Sequence, residues 1–217
     1  MNSLYKAHPW HGIDIGEEAP KVVSCYIEIV PSDTVKYELD KVSGLLKVDR
    51  PQKYSNYCPA LYGLIPQTFC GKLSGEYCAK KAGITTIVGD DDPLDVCVLS
   101  EKPILRGDIL LQAIPIGGFR TIDKGDADDK IIAVLKGDLV YGNIQDISEC
   151  PTHLIDRLHH YFLTYKEHPG STAPSTLEVI KIYGKEEAHE VIELARRDYQ
   201  NSFPQIYKNF KTMQEKS

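Results

Sequence analysis

Gly89-Asp90-Asp91-Asp92-Pro93-Leu94-Asp95-Val96 places four carboxylates within six residues, between an apolar run that ends at Val88 and another over residues 96–99. A plain strand alternates its side chains between two faces and would separate Asp91 from Asp90 and Asp92. Gly89 and Pro93 instead predict a turn or bulge in which several carboxylates converge. Convergence is costly, since two like charges about 4 Å apart repel by roughly 4 kcal/mol at an effective dielectric of about 20. A cation relieves that cost, and clustered carboxylate oxygens suit hard ions such as Mg²⁺, Mn²⁺ or Ca²⁺. The same run also suits a plain acidic surface turn. It does not suit an EF-hand: counted from Asp90, the sixth loop position holds Asp95 where that loop needs Gly.

Outward from this stretch the chain reads as a series of strands. Residues 22–30 alternate, with Val23, Cys25, Ile27 and Ile29 on one face and Ser24, Tyr26 and Glu28 on the other. A turn at Pro31-Ser32-Asp33 leads to a strand over 35–39, and Ser43-Gly44 to another over 45–50. Lys36 and Glu38 share a face; singly they, Glu28 and Arg50 also suit an ordinary charged outer face. Further strands are predicted over 84–88, 96–99, 109–114, 131–135 and 177–183. Short turns between early strands point to an antiparallel meander or barrel. Residues 67–89 carry little pattern and read as an insertion or lid.

A second acidic loop, Thr121-Ile122-Asp123-Lys124-Gly125-Asp126-Ala127-Asp128-Asp129-Lys130, precedes the strand at 131–135. Helices are predicted from Pro151 to about Lys166, with Pro suited to the first helical position, and from about Glu186 onward. The latter has an acidic first turn and Arg196-Arg197 further on, as the helix dipole prefers. His8 and His11 have H-x-x-H spacing, but Pro9, Trp10 and Gly12 disfavour the helix a shared metal would need. One domain spans 1–217, with an N-terminal arm over 1–21 and a C-terminal tail over 201–217.

With 42 % apolar residues the chain is globular in composition, and its net charge of −6 disfavours a nucleic-acid backbone binder. No apolar run is long enough to span a bilayer or to form a signal core, so a cytoplasmic location is expected and no membrane partner. The six cysteines include no C-x-x-C pair and read as reduced thiols.

In order along the chain, Ile27-Glu28-Ile29, Lys36-Tyr37-Glu38, Val48-Asp49-Arg50, Tyr62-Gly63, Asp90-x-Asp92-Pro93-Leu94-Asp95-Val96, Asp123, Asp128, Lys130 and Tyr165-Lys166 resemble the motif set of soluble family I inorganic pyrophosphatases. The resemblance covers residues 22–166. It implies a mainly β fold with α-helices (α+β), a closed OB-like β-barrel with helices packed outside. It further implies Mg²⁺-dependent hydrolysis of inorganic pyrophosphate, with several ions per site and Mn²⁺ or Zn²⁺ as substitutes, in a homo-oligomer.

Carried over position by position, the resemblance gives Asp90, Asp95 and Asp128 to a first metal ion, with Asp95 bridging to a second. Glu28, Glu38, Asp123 and Asp128 would serve the ions arriving with substrate. Lys36, Arg50, Tyr62, Lys130, Tyr165 and Lys166 would grip phosphate oxygens, and Asp92 would act as general base. Three departures stand out. Cys58 replaces a tyrosine common in the family, residues 68–88 are longer than in short bacterial members, and the loop over 168–175 lacks an expected lysine. Another metal-dependent phosphohydrolase, acting on a nucleotide or phosphodiester, could use the same residue types. An OB-like nucleic-acid-binding module would need a basic groove with stacking aromatics, which the charge balance opposes.

Overall fold

The computed structural model describes residues 6–168, 170 and 175–214. The loop position lacking the expected lysine falls largely on residues 169 and 171–174, outside the described residues.

The strands are β1 (Val23–Ile29), β2 (Val35–Leu39), β3 (Leu46–Pro51), β4 (Leu61–Leu64), β5 (Val88–Gly89), β6 (Asp95–Leu99), β7 (Ile109–Asp123), β8 (Asp126–Ala127), β9 (Lys130–Leu135) and β10 (Leu177–Gly184). The helices are α1 (Lys72–Ala82), α2 (Thr152–Thr164), α3 (Lys185–Ser202) and α4 (Pro204–Gln214). Strands β2 and β3 form a separate two-stranded sheet, and the other eight strands make one mixed sheet. In that sheet β1 pairs antiparallel with both β4 and β7. β4 pairs with β6, β6 runs parallel to β9, and β9 pairs with β7. Followed from β1, the pairings therefore lead back to β1.

The alternation read in β1 is real, but both of its faces are buried, so Glu28 is not a solvent-side residue. One apolar cluster joins Val23, Cys25 and Ile27 to Val96, Ile131 and the α3 residues Ala188, Val191, Ile192 and Ala195. A second joins Ile29, Cys97, Ile132 and Val134 to Ile155, Leu158 and Phe162 of α2. All six cysteines are buried and free. At Gly63 the backbones of β1 and β4 approach so closely that a Cβ would lie 1.9 Å from the Tyr26 carbonyl oxygen. Gly63 sits opposite Ile27 in the antiparallel pairing of these two strands.

Three expectations are corrected. The strand predicted over 109–114 continues to Asp123, because Gly117 and Gly118 admit β10 against β7; a Cβ on Gly118 would meet the Tyr183 ring at 2.5 Å. The strand predicted over 84–88 is reduced to Val88–Gly89. The weakly patterned stretch holds α1, whose buried residues are only Gly75 and Cys78, so it has no apolar stripe to read. Asp198 of α3 caps this helix, accepting from the backbone N–H of Leu73 at 3.0 Å and of Ser74 at 2.9 Å. The expected tail carries α4, and the arm buries Trp10, which packs against Phe203 with ring centres 5.2 Å apart. Among the described residues, no helix is long and apolar enough to cross a membrane.

Candidate active site

The acidic stretch turns before it enters β6. Asp91 adopts φ +60°, which Asp tolerates better than most residues, and its N–H donates to the Cys70 carbonyl at 3.1 Å. Asp92 returns the contact, its carbonyl accepting from the Cys70 N–H at 2.8 Å. The consequence is the sorting expected of a bulged turn. Asp90, Asp92 and Asp95 line one cleft, and Asp91 faces a separate outer groove beside Lys72 and Val88.

That cleft has a volume of about 330 Å³. Each wall comes from a different part of the fold. β1 supplies Glu28; the β2–β3 hairpin supplies Lys36, Glu38 and Lys41; β4 supplies Tyr62. The hairpin after β7 supplies Asp123 and Asp126, Asp128 and Lys130 follow it, and the end of α2 brings Tyr165 and Lys166. Of the residues anticipated from sequence, Arg50 alone does not line the cleft. It pairs with Asp49 and lies over the Tyr165 ring at 5.9 Å.

Positive and negative groups are interlocked. Lys130 donates to both Asp95 and Asp128, and Tyr62 donates its hydroxyl to Asp95. Lys36 lies 3.1 Å from Asp49 and 3.5 Å from Glu38. Glu28 accepts from the Leu39 N–H at 2.7 Å, which ties β1 to the hairpin. Asp92 is ion-paired with Lys41.

Burial sets the electrostatics. It pushes the Glu28 carboxyl up to about 8 despite the Leu39 N–H, with the Asp95 charge adding to the rise. Burial also pushes Asp90 up to about 8, reinforced by Asp128. Asp128 is raised by burial too, and Lys130 opposes that rise. Burial alone would lower Lys130, but Asp128 and Asp95 hold it well above the usual lysine range. Burial and then Asp95 raise Tyr62.

Among the described residues, no three His, Cys, Asp or Glu side chains are already drawn together as ligands for a metal ion. The donor set nevertheless fits a hard divalent cation. The ligands anticipated from sequence are all carboxylates, and burial raises the Glu28 and Asp90 carboxyls, a cost that a cation held among them would relieve. Asp123 Oδ1 is buried with no hydrogen-bond partner, an oxygen left open beside the cleft.

Lys41, Lys124 and Asp126 also line the cleft and went unassigned in the sequence. Asp126 and Lys124 lay within the second acidic loop, so composition had marked the place without ranking its members. Lys41 gave no local signal, since its approach to Asp92 depends on how the hairpin folds over the cleft.

The inorganic pyrophosphatase family model matches residues 25–200. This chain belongs to the inorganic pyrophosphatase family. It is 59 % identical over 204 residues to the inorganic pyrophosphatase of Chlamydia caviae, covering 93 % of this chain and 94 % of that protein. Against the Chlamydia trachomatis serovar L2 inorganic pyrophosphatase it is 58 % identical over 200 residues, covering 91 % and 96 %. The crystal structure of inorganic pyrophosphatase from Thermus thermophilus aligns with a TM-score of 0.73 at 28 % identity, covering 88 % of this chain and 99 % of that one.

Proposed function

We propose that this chain hydrolyses inorganic pyrophosphate to two orthophosphates by direct attack of water, using divalent cations of which Mg²⁺ is the working ion and Mn²⁺ or Zn²⁺ are substitutes. The observation that carries this reading is the convergence, in one cleft, of the carboxylates and the phosphate-gripping groups scattered from Glu28 to Lys166. Asp90, Asp95 and Asp128 would hold the first cation, Asp95 would bridge to a second, and Glu28, Glu38, Asp123 and Asp128 would complete the set. Bound cations neutralise the polyanion and make water easier to deprotonate.

The chain's own groups do the rest. Asp92 accepts the proton of the attacking water at its carboxylate. Lys36, Lys130, Lys166, Tyr62 and Tyr165 hold phosphate oxygens, and Arg50, which lies over Tyr165 outside the cleft lining, would have to leave Asp49 to join them. Their charge is complementary to the negative charge that moves onto the departing phosphate. No side chain need form a covalent bond with phosphorus.

We also read the returning strand pairings as the closed OB-like barrel of the family, and we expect a cytoplasmic homo-oligomer. The test is phosphate release from pyrophosphate by the purified protein with Mg²⁺ and with chelator, beside ATP and a phosphodiester. Fast Mg²⁺-dependent release from pyrophosphate is expected. Activity confined to ATP or the diester would transfer the same carboxylates to a different phosphohydrolase.

A further inference from the structure

The backbone that carries Asp128 and Lys130 crosses a break in the sheet. β8 pairs with β7 as far as Ala127 opposite Ile122, and the ladder to β9 resumes at Lys130 opposite Phe119. Asp128 and Asp129 lie in the gap, where Thr121 holds the main chain. The Asp128 N–H donates to the Thr121 carbonyl at 3.0 Å, and the Thr121 hydroxyl donates to the Asp128 carbonyl. Asp128 and Lys130 point into the cleft, and Asp129 points the other way, beside Cys70, Tyr77 and Leu94.

There Asp129 meets Arg120, which is fully buried. Arg120 Nη2 lies 3.3 Å from Asp129 Oδ2, and Nη1 donates to Glu187 at 2.6 Å. Tyr183 donates its hydroxyl to the same Asp129 oxygen at 3.1 Å. The guanidinium is flanked by the rings of Tyr77 and Tyr183, at 5.2 and 5.1 Å. Residues of α1, β10 and α3, together with Asp129, thus converge on the one guanidinium of β7.

Stability alone is a poor reason for this array. A buried ion pair is often no better than well-packed apolar residues of similar volume, because desolvation offsets the attraction. This one is also imperfect, since Arg120 Nε and Asp129 Oδ1 are buried without hydrogen-bond partners. What a directed pair supplies and an oily contact does not is orientation. Groups that orient a metal-binding carboxylate from behind commonly set its affinity.

Resting on the function proposed above, we propose that Arg120 and Asp129 are positioning residues: they fix the unpaired step of chain between β8 and β9, and so aim Asp128 at the metal site and Lys130 at the phosphate. Neither touches the cleft. Tyr183 and Glu187 hold the pair in turn.

The double variant Arg120→Met/Asp129→Leu removes both charges together and leaves Tyr77 and Tyr183 an apolar filling. It is expected to fold with a Tm near that of the wild type. Calorimetric titration with Mg²⁺ in the absence of substrate should show affinity weakened about 10- to 100-fold, with kcat reduced at saturating Mg²⁺. Asp129→Asn, which keeps acceptors for Arg120 and Tyr183, should recover most of the Mg²⁺ affinity. Unchanged Mg²⁺ affinity and kcat in the folded double variant would overturn the proposal. So would failure of the double variant to fold, which would make the pair a support of the fold. Wild-type protein assayed alongside separates the two ideas: without Mg²⁺-dependent phosphate release from pyrophosphate, the proposed function itself fails.

Discussion

Lys166 Nζ lies 2.5 Å from Asp123 Oδ2, so a group expected to grip phosphate rests on a carboxylate expected to serve a cation. Lys130 repeats the arrangement across Asp95 and Asp128. In both places an ammonium supplies the positive charge that buried carboxylates require, and it competes with any divalent ion for the same oxygens. Both ammonium groups would be released toward phosphate when cations and polyanion enter together.

Lys166→Met is therefore expected to have opposite effects on the two ligands. Mg²⁺ affinity without substrate should rise by about tenfold, the scale of losing one competing charge in a partly screened site. KM for pyrophosphate should rise, since a phosphate contact is lost. Mg²⁺ titration followed by steady-state kinetics decides it, and weaker Mg²⁺ binding in the variant would refute the competition.

Asp92 lines the cleft but differs from Asp90 and Asp95 in its surroundings, being ion-paired with the hairpin residue Lys41. As the general base, its replacement should spare the fold and most metal binding. Asp92→Asn is expected to lower kcat by about two to four orders of magnitude with Mg²⁺ affinity little changed. Turnover close to wild type would remove Asp92 from that role.

The parts of this site that were legible in the sequence are those whose signal is local. Gly89 and Pro93 marked a turn, and the density of Asp around it and around residues 121–130 marked two acidic loops. Ordered motifs from Glu28 to Lys166 then linked residues that only the fold brings together. Arg120 was not legible, because a lone Arg within an apolar run reads as an outward side chain and the strand itself was expected to end at residue 114. The helix α1 was missed for a related reason. Its buried face is made by Gly75 and Cys78, and its docking comes from a distant carboxylate, Asp198.

That docking bears on the longer segment over 67–89. Asp198 accepts from the N–H groups of Gly71, Leu73 and Ser74 and from the Ser74 hydroxyl, at 2.9 to 3.2 Å. No residue of α1 lines the cleft. A carboxylate on several helix N-terminal donors is worth more than an ordinary neutral hydrogen bond. Asp198→Ala is expected to cost about 2–3 kcal/mol of stability and to leave KM for pyrophosphate unchanged at a temperature where the variant is folded. A large change in KM with unaltered chemical denaturation would instead make the segment a lid.

The N-terminal arm gives the protein an acid-sensitive element away from the cleft. His11 stacks on Trp10 at 4.3 Å, and its Nδ1 lies 2.8 Å from the Tyr199 hydroxyl. Burial, then the charge of His8, lowers His11 from its usual 6.5 to about 4. Between these two values the unfolded chain takes up a proton that the folded chain refuses, so stability falls as pH drops through this window and is insensitive to His11 above it. Discounted for the exposure of the ring, the loss should be about 1–2 kcal/mol. Urea unfolding at pH 7.5 and pH 4.5 measures it: the fall in stability should be smaller by that amount in His11→Phe than in the wild type. Equal falls in the two proteins would show that His11 titrates in the folded arm as it does in the unfolded chain.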